Sequence, residues 1–242
     1  MVPEESDLNP ARPSPAIMLT RLDMLGADLT ALLRRSLAGP LPGVRAHRHY
    51  APELAYGRHQ GPGASNARQA AVLTLLYQRD QIWHLVLTLR PEHLPDHPGQ
   101  VSFPGGALET GEAAEQGALR ELDEELGVGG DCIELVGRLS PIYVFNSNFE
   151  VQPVVGVLEG APLFRPNAGE VAEVIEIPVP ALLQCPPQRT RWRVKTSAYF
   201  VAPTIYWKQR KVWGATLLVL GELLEVLRET LGKTVSPGIA RR

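Results

Sequence analysis

Glu124 and Glu125 follow Glu121 by three and four residues in a stretch without proline. On a helix that spacing sends the carboxylates out along one side. Three like charges so placed repel one another, and the helix gains nothing from the crowding. A hard divalent cation reverses the sign of the interaction. Mg²⁺ takes oxygen ligands, keeps several waters and bridges a few carboxylates to phosphates. Arg120, immediately before Glu121, can pair with a neighbouring carboxylate and hold it in one rotamer. Taken alone, the run also fits an ordinary solvated acidic face.

The element that positions these groups is readable from the pattern. Ala114, Ala118, Leu122 and Leu126 recur every fourth residue, an apolar stripe that predicts a helix over 113–126. Gly127 follows its last turn, where the left-handed conformation commonly ends a helix. Glu112 stands at its start, where negative charge favours the helix dipole, and reads as structural. Gly105 and Gly106 precede it, and their missing side chains let backbone come close to a ligand or metal.

Residues 106–128 as a whole fit the pattern G-x5-E-x7-R-E-U-x-E-E-x-G-U, with U bulky and apolar. At average residue usage, a chance match in a chain this long has odds on the order of 10⁻⁶. This stretch closely resembles the Nudix box, the signature of hydrolases that cleave a nucleoside diphosphate linked to another group. Upstream, Leu85 to Gly106 resembles the motif of coenzyme A pyrophosphatases, with Thr88, Arg90, Leu94, His97 and all of Gly99 to Gly106 in place. Pro91 replaces the usual serine and Pro95 the usual arginine. Proline offers a phosphate no donor, and Pro91, Pro95 and Pro98 make the loop extended and stiff. Weaker similarity continues through Gln152–Leu158, Asn167–Pro178 and Val212–Thr216.

The resemblance implies an α/β fold, a mixed β-sheet sandwiched between helices (α/β/α), with the box as a loop-helix-loop at one edge. It implies a Mg²⁺- or Mn²⁺-dependent pyrophosphohydrolase. Glu121 and Glu125 are then the principal metal ligands, Glu124 assists directly or through water, and the Gly106 carbonyl is a further ligand. Arg120 joins the three glutamates in the catalytic set. Arg90, Gln100, Ser102 and Phe103, from the upstream motif, are the expected substrate contacts. Glu170 or Glu173 would serve as a further ligand or general base, although their alternation with apolar residues equally fits outward charges on a strand. The expected reaction splits coenzyme A, or a derivative, into 3′,5′-ADP and 4′-phosphopantetheine. The two prolines keep another nucleoside diphosphate derivative, such as NADH or ADP-ribose, as an alternative. A non-catalytic ligand sensor is a third reading, disfavoured by an intact box.

The formal net charge is −2 over 242 residues, which argues against a general nucleic-acid or membrane-surface role. The basic cluster Arg45, His47, Arg48 and His49 reads as a solvated loop or a phosphate-contacting arm. No apolar run is long enough to span a bilayer. Cys132 and Cys185 are the only cysteines, and they indicate neither a metal site nor a disulfide framework, which suits the cytoplasm. Residues 1–7 are acidic and lack the basic segment of a signal peptide, and Met18 is a second candidate start. The expected partner is a small nucleoside diphosphate, bound by a monomer or homodimer.

Residues 1–15 hold four prolines and predict disorder. Residues 16–65 form an extension: an amphipathic helix from Ile17 to Leu37, then a glycine- and proline-punctuated loop from Gly39 to Asn66. The Nudix-like domain spans 66–231, and 232–242 is a flexible tail. Inside the domain, Ala70–Tyr77 and Trp83–Leu89 predict a hairpin turning at Gln78–Asp80. Cys132–Leu139, Glu150–Leu158 and Val171–Ile177 are further strands. Val179–Leu183 begins a helix, Val194–Tyr206 reads as one or two strands interrupted at Pro203, and Thr216–Leu231 is the last helix. Phe145, Phe149, Tyr199 and Trp207 either stack on an adenine or fill the core.

Overall fold

The computed structural model describes residues 28–53, 61, 63–193 and 199–233. The expected disorder of 1–15, the first part of the Ile17–Leu37 helix, the start of the Val194–Tyr206 strand and the tail beyond 233 lie outside these residues.

Two β-rich runs build the centre of the sheet. β1 (Arg68–Arg79) and β2 (Ile82–Leu89) pair antiparallel, Arg79 opposite Ile82. Asp80 and Gln81 turn between them with φ of 51° and 63°, a two-residue connection whose twist matches the strands. The turn therefore falls later than expected and β1 runs on to Arg79. β3 (Val101–Ser102) pairs with β2, and β4 (Gly105–Ala107) with β1. β5 (Glu134–Arg138) and β6 (Ile142–Val144) both pair with β7 (Phe149–Leu158), which itself lies parallel to β1. β8 (Glu173–Pro178) runs antiparallel to β2. One parallel pair among antiparallel ones makes the sheet mixed, in the main order β3-β2-β1-β7-β5.

Helices cover both faces, as an α/β/α sandwich requires. α1 (Asp28–Leu37) and α2 (Val44–His47) precede the sheet, α3 (Ala114–Leu126) follows β4, α4 (Val179–Gln184) follows β8, and α5 (Gly214–Lys233) closes the described chain. On one face, Ala114, Ala118, Leu122 and Leu126 of α3 pack with Leu73, Leu75 and Val154. On the other, Leu85, Leu87, Val155 and Val157 lie with Leu29, Leu33 and Leu37 of α1 and the leucines of α5. The predicted apolar face of the N-terminal helix thus enters the same core as the last helix. Among the described residues no helix is long and apolar enough to cross a membrane.

Three local expectations are corrected. The Gly39–Asn66 loop contains α2, and the basic cluster there is solvated except at His47: Arg45, Arg48 and His49 are exposed, Arg45 pairing with Glu229 at 2.6 Å, whereas His47 is buried 3.3 Å from Glu222. Glu222, wholly buried on α5, accepts from the Gly43 N–H at 2.8 Å and from the Ser140 N–H and hydroxyl at 3.0 and 2.7 Å. Burial alone would raise its pKa, but these donors and His47 hold it below the usual value. Second, a separate antiparallel sheet forms from β9 (Gln188–Arg193), β10 (Tyr199–Trp207) and β11 (Arg210–Trp213). Third, β10 runs unbroken through Pro203. β11 pairs only Thr204 to Trp207, so the proline sits beyond the end of that neighbour.

Candidate active site

The site forms where β4 meets α3. Gly105 has a φ of 150°, and a Cβ there would lie 2.4 Å from the Ala71 carbonyl oxygen and 2.6 Å from Val72 Cα. Only glycine lets β4 lie this close to β1. On Gly106 a Cβ would come 2.4 Å from Glu121 Oε1, so bare backbone abuts that carboxylate. α3 ends at Gly127, φ 63°, whose N–H donates to the Asp123 carbonyl.

Arg120 ties the box together. Its guanidinium donates to both Glu112 oxygens, at 2.8 and 3.0 Å, to Glu121 at 2.9 Å, to Glu124 at 3.0 Å and to the Ala107 carbonyl at 3.1 Å. The two-pronged bond to Glu112, helped by the Glu109 N–H, holds that carboxyl down at about 2. Glu112 is therefore the anchor of Arg120, and Arg120 in turn restrains Glu121.

The three glutamates of α3 differ sharply in environment. Glu124 is half exposed and faces Arg120 at the rim. Glu121 is more enclosed, and burial raises its pKa against the pull of Arg120, with the charges of Glu124 and Glu170 adding to the rise. Glu125 is only 3% exposed. Burial pushes it up to about 8, aided by the charges of Glu121 and Glu170 and opposed by Arg90 and by a hydrogen bond from the Gly105 backbone. Its Oε2 is buried with no hydrogen-bond partner among the described residues.

Glu170 reaches this cluster through a loop that caps α3. The Arg165 and Asn167 N–H groups donate to the Leu126 and Glu125 carbonyls at 2.7 and 2.9 Å, satisfying acceptors that the helix end leaves open. The Ala172 N–H then bonds the Leu89 carbonyl at 2.8 Å. Between these anchors Glu170 is held where its charge acts on Glu121 and Glu125. Glu173 is not brought there; it starts β8 and pairs with Arg210 of the second sheet.

Residues 67–195 match the family model of the NUDIX domain. The chain belongs to the Nudix family. Among curated relatives, a Nudix hydrolase NudL of Enterobacter sp. (strain 638), itself uncharacterised, is 36% identical over 163 residues, or 65% of this chain and 82% of the relative. Its counterpart in Salmonella paratyphi B (strain ATCC BAA-1250 / SPB7) is also 36% identical, over 162 residues with the same shares. A crystal structure of a Nudix hydrolase from M. smegmatis, RenU, superposes with a TM-score of 0.47 at 15% identity, covering 80% of this chain and 98% of that one.

Nudix hydrolases generally work with divalent metals, and the residues present fit such an ion. An unpartnered buried carboxylate oxygen on Glu125, a second carboxylate on Glu121 and bare backbone at Gly106 come together where β4 meets α3. Among the described residues no three carboxylate, imidazole or thiolate side chains are grouped so as to hold a metal by themselves.

The upstream motif folds onto this Nudix site unevenly. The Arg90 N–H bonds the Gln100 carbonyl at 2.9 Å, and the Gly99 N–H bonds the Arg90 carbonyl at 3.1 Å, so the loop pinches closed beside Glu125. Gln100 lines a cleft toward the second sheet. Ser102 is half buried, its hydroxyl 3.2 Å from that of Thr88. Phe103 is a correction: at 3% exposure it belongs to the core, and its ring is not offered to a ligand. Of the aromatics proposed for stacking, Phe149 already lies under the Arg68 guanidinium at 3.9 Å, Trp207 packs on the core, Phe145 is half buried and Tyr199 is exposed.

Proposed function

We propose that this Nudix hydrolase uses Mg²⁺ or Mn²⁺ to cleave the diphosphate of coenzyme A, or a derivative of it, to 3′,5′-ADP and 4′-phosphopantetheine. The observation that carries the reading is the position of Arg90. It belongs to the segment that resembles the coenzyme A pyrophosphatase motif, and it lies near enough to buried Glu125 for its charge to favour the ionised carboxylate. A motif residue and a box residue therefore share one site.

In this reading Glu121 and Glu125 hold the cation, with Glu124 at the rim and the Gly106 backbone alongside. The bound cation supplies charge neutralisation at the diphosphate oxygens and activates water for attack. Arg120 keeps Glu121 in one rotamer through the Glu112 anchor. Glu170, held by the loop that caps α3, is the better-placed general base; Glu173 is committed to Arg210. Arg90, whose charge favours the ionised form of Glu125, would be the cation on offer to a diphosphate oxygen.

A second reading rests on Pro95, which stands where the motif usually has arginine and leaves no donor for a substrate phosphate. It favours a nucleoside diphosphate derivative without pantetheine, such as NADH or ADP-ribose. The two separate in a phosphatase-coupled assay comparing coenzyme A, dephospho-coenzyme A, NADH and ADP-ribose with Mg²⁺ or Mn²⁺. A higher kcat/KM for coenzyme A supports the first reading. A preference for NADH or ADP-ribose replaces it with the second.

A further inference from the structure

A cleft of about 310 Å³ opens between the Pro98–Val101 segment and the second sheet, lined among others by Gln100, Trp192, Gln209, Arg210, Lys211 and Trp213. Its volume is that of a small-molecule site, roughly 300–1,000 Å³. It adjoins the catalytic end of the molecule. Leu89 and Gln100 line it, and Arg90, which follows Leu89, bonds the Gln100 carbonyl through its N–H and lies near enough for its charge to act on Glu125.

The walls carry two chemistries. Trp192 and Trp213 stack with ring centroids 4.2 Å apart and planes 22° off parallel, and Phe200 leans on Trp213 at 5.9 Å. This fixes a half-exposed aromatic platform of the kind on which a planar heterocycle stacks. The cations beside it are not equivalent. Arg210 is neutralised by Glu173. Lys211 is exposed, with its ammonium 5.3 Å from the Trp192 ring centroid and no carboxylate in ion-pairing range among the described residues. Gln100 and Gln209 add neutral donors. A platform, an uncompensated ammonium and amide donors match a purine nucleotide bearing a second phosphate.

We infer that this cleft binds the adenosine end of the substrate, with Lys211 recognising a ribose-borne phosphate monoester that the reaction leaves intact. The inference rests on the proposed hydrolysis of a nucleoside diphosphate. It also offers a replacement for the phosphate donor lost at Pro95: the cation comes from β11 instead of the loop. Lys211 is then a specificity determinant that separates coenzyme A from dephospho-coenzyme A.

Binding of 3′,5′-ADP and of 5′-AMP, measured by titration calorimetry on the full chain, tests this without turnover. Wild type should prefer 3′,5′-ADP by about tenfold, the scale of one charge-assisted phosphate contact. Lys211→Gln should erase the preference while leaving 5′-AMP affinity within about twofold, and Lys211→Arg should restore it. Equal binding of the two nucleotides by wild type, no binding of either, or a preference that survives in Lys211→Gln would overturn the inference. Hydrolysis of coenzyme A is scored separately. A Lys211-dependent preference in a protein that does not hydrolyse coenzyme A would sustain the subsite and sink the proposed substrate.

Discussion

Glu125→Gln should stabilise the metal-free protein and at the same time remove its activity. Glu125 is buried, its Oε2 lacks a partner among the described residues, and its carboxyl is pushed up to about 8 from 4.5. At about 1.4 kcal/mol per pH unit, ionising it in the metal-free fold costs at most about 5 kcal/mol. The folded value lies above the unfolded one. The contribution to stability is therefore intact below about pH 4.5 and is lost as pH rises to about 8. Glutamine keeps the shape and never ionises, so it escapes the loss. At pH 8.5 in EDTA the variant should be about 2–5 kcal/mol more stable than wild type, or roughly 4–20 °C in Tm for a chain of this size. At pH 5 the difference should nearly vanish. Circular dichroism melts at the two pH values measure both. Mg²⁺ should then raise the Tm of wild type at pH 8.5 but not that of the variant, whose kcat should fall by about 10³ or more. A variant no more stable than wild type at pH 8.5, or equally favoured at both pH values, would refute the claim that this carboxylate is buried against its own ionisation.

Other perturbations probe the surrounding scaffold. Glu170→Gln should lower kcat by about 10² more than Glu173→Gln does, in steady-state kinetics with saturating metal, as expected for a general base; a larger effect at Glu173 would reverse that assignment. Gly105→Ala should cost about 3 kcal/mol or more in urea unfolding, because the new Cβ collides with β1 backbone. Glu222→Ala should cost about 3–5 kcal/mol, since it removes at once a buried carboxylate that Gly43, Ser140 and His47 share. A loss below about 1 kcal/mol there would mean the network is rewired by water.

Much of this architecture was readable because local pattern and tertiary role coincide. The four-residue stripe of Ala114 to Leu126 is the face that α3 buries, and Leu29, Leu33 and Leu37 are the face that α1 buries. The long strands β1, β2 and β7 are written in runs of apolar and β-branched residues. β9 was invisible for the opposite reason: Gln188 to Arg193 is largely polar and is held by pairing with β10. β3, β4, β6 and β11 are two to four residues long, too short for any period to show.

The site was legible in composition but not in hierarchy. Spacing placed Glu121, Glu124 and Glu125 on one helix side. It did not show that Glu125 is sealed, that Glu124 stays at the rim or that Glu112 is the anchor of Arg120, because burial is set by β4 and the loop over the helix end. Nor did it separate Glu170 from Glu173, which differ only in what the chain touches on either side. Glu222 sat unnoticed in a leucine-rich helix; its partners come from segments about 80 and 180 residues away. Phe103 followed the motif into the substrate set although its ring serves the core.

The most direct test of the carboxylate cluster as a catalytic metal site is a Mn²⁺ titration at pH 8.5 followed by electron paramagnetic resonance. It would be run on wild type and on the Glu121→Gln and Glu125→Gln variants. Wild type should bind Mn²⁺ at a site that both substitutions weaken by at least about tenfold, since each removes a charged oxygen ligand. Undiminished Mn²⁺ binding in both variants would place the metal elsewhere and contradict the assignment of Glu121 and Glu125.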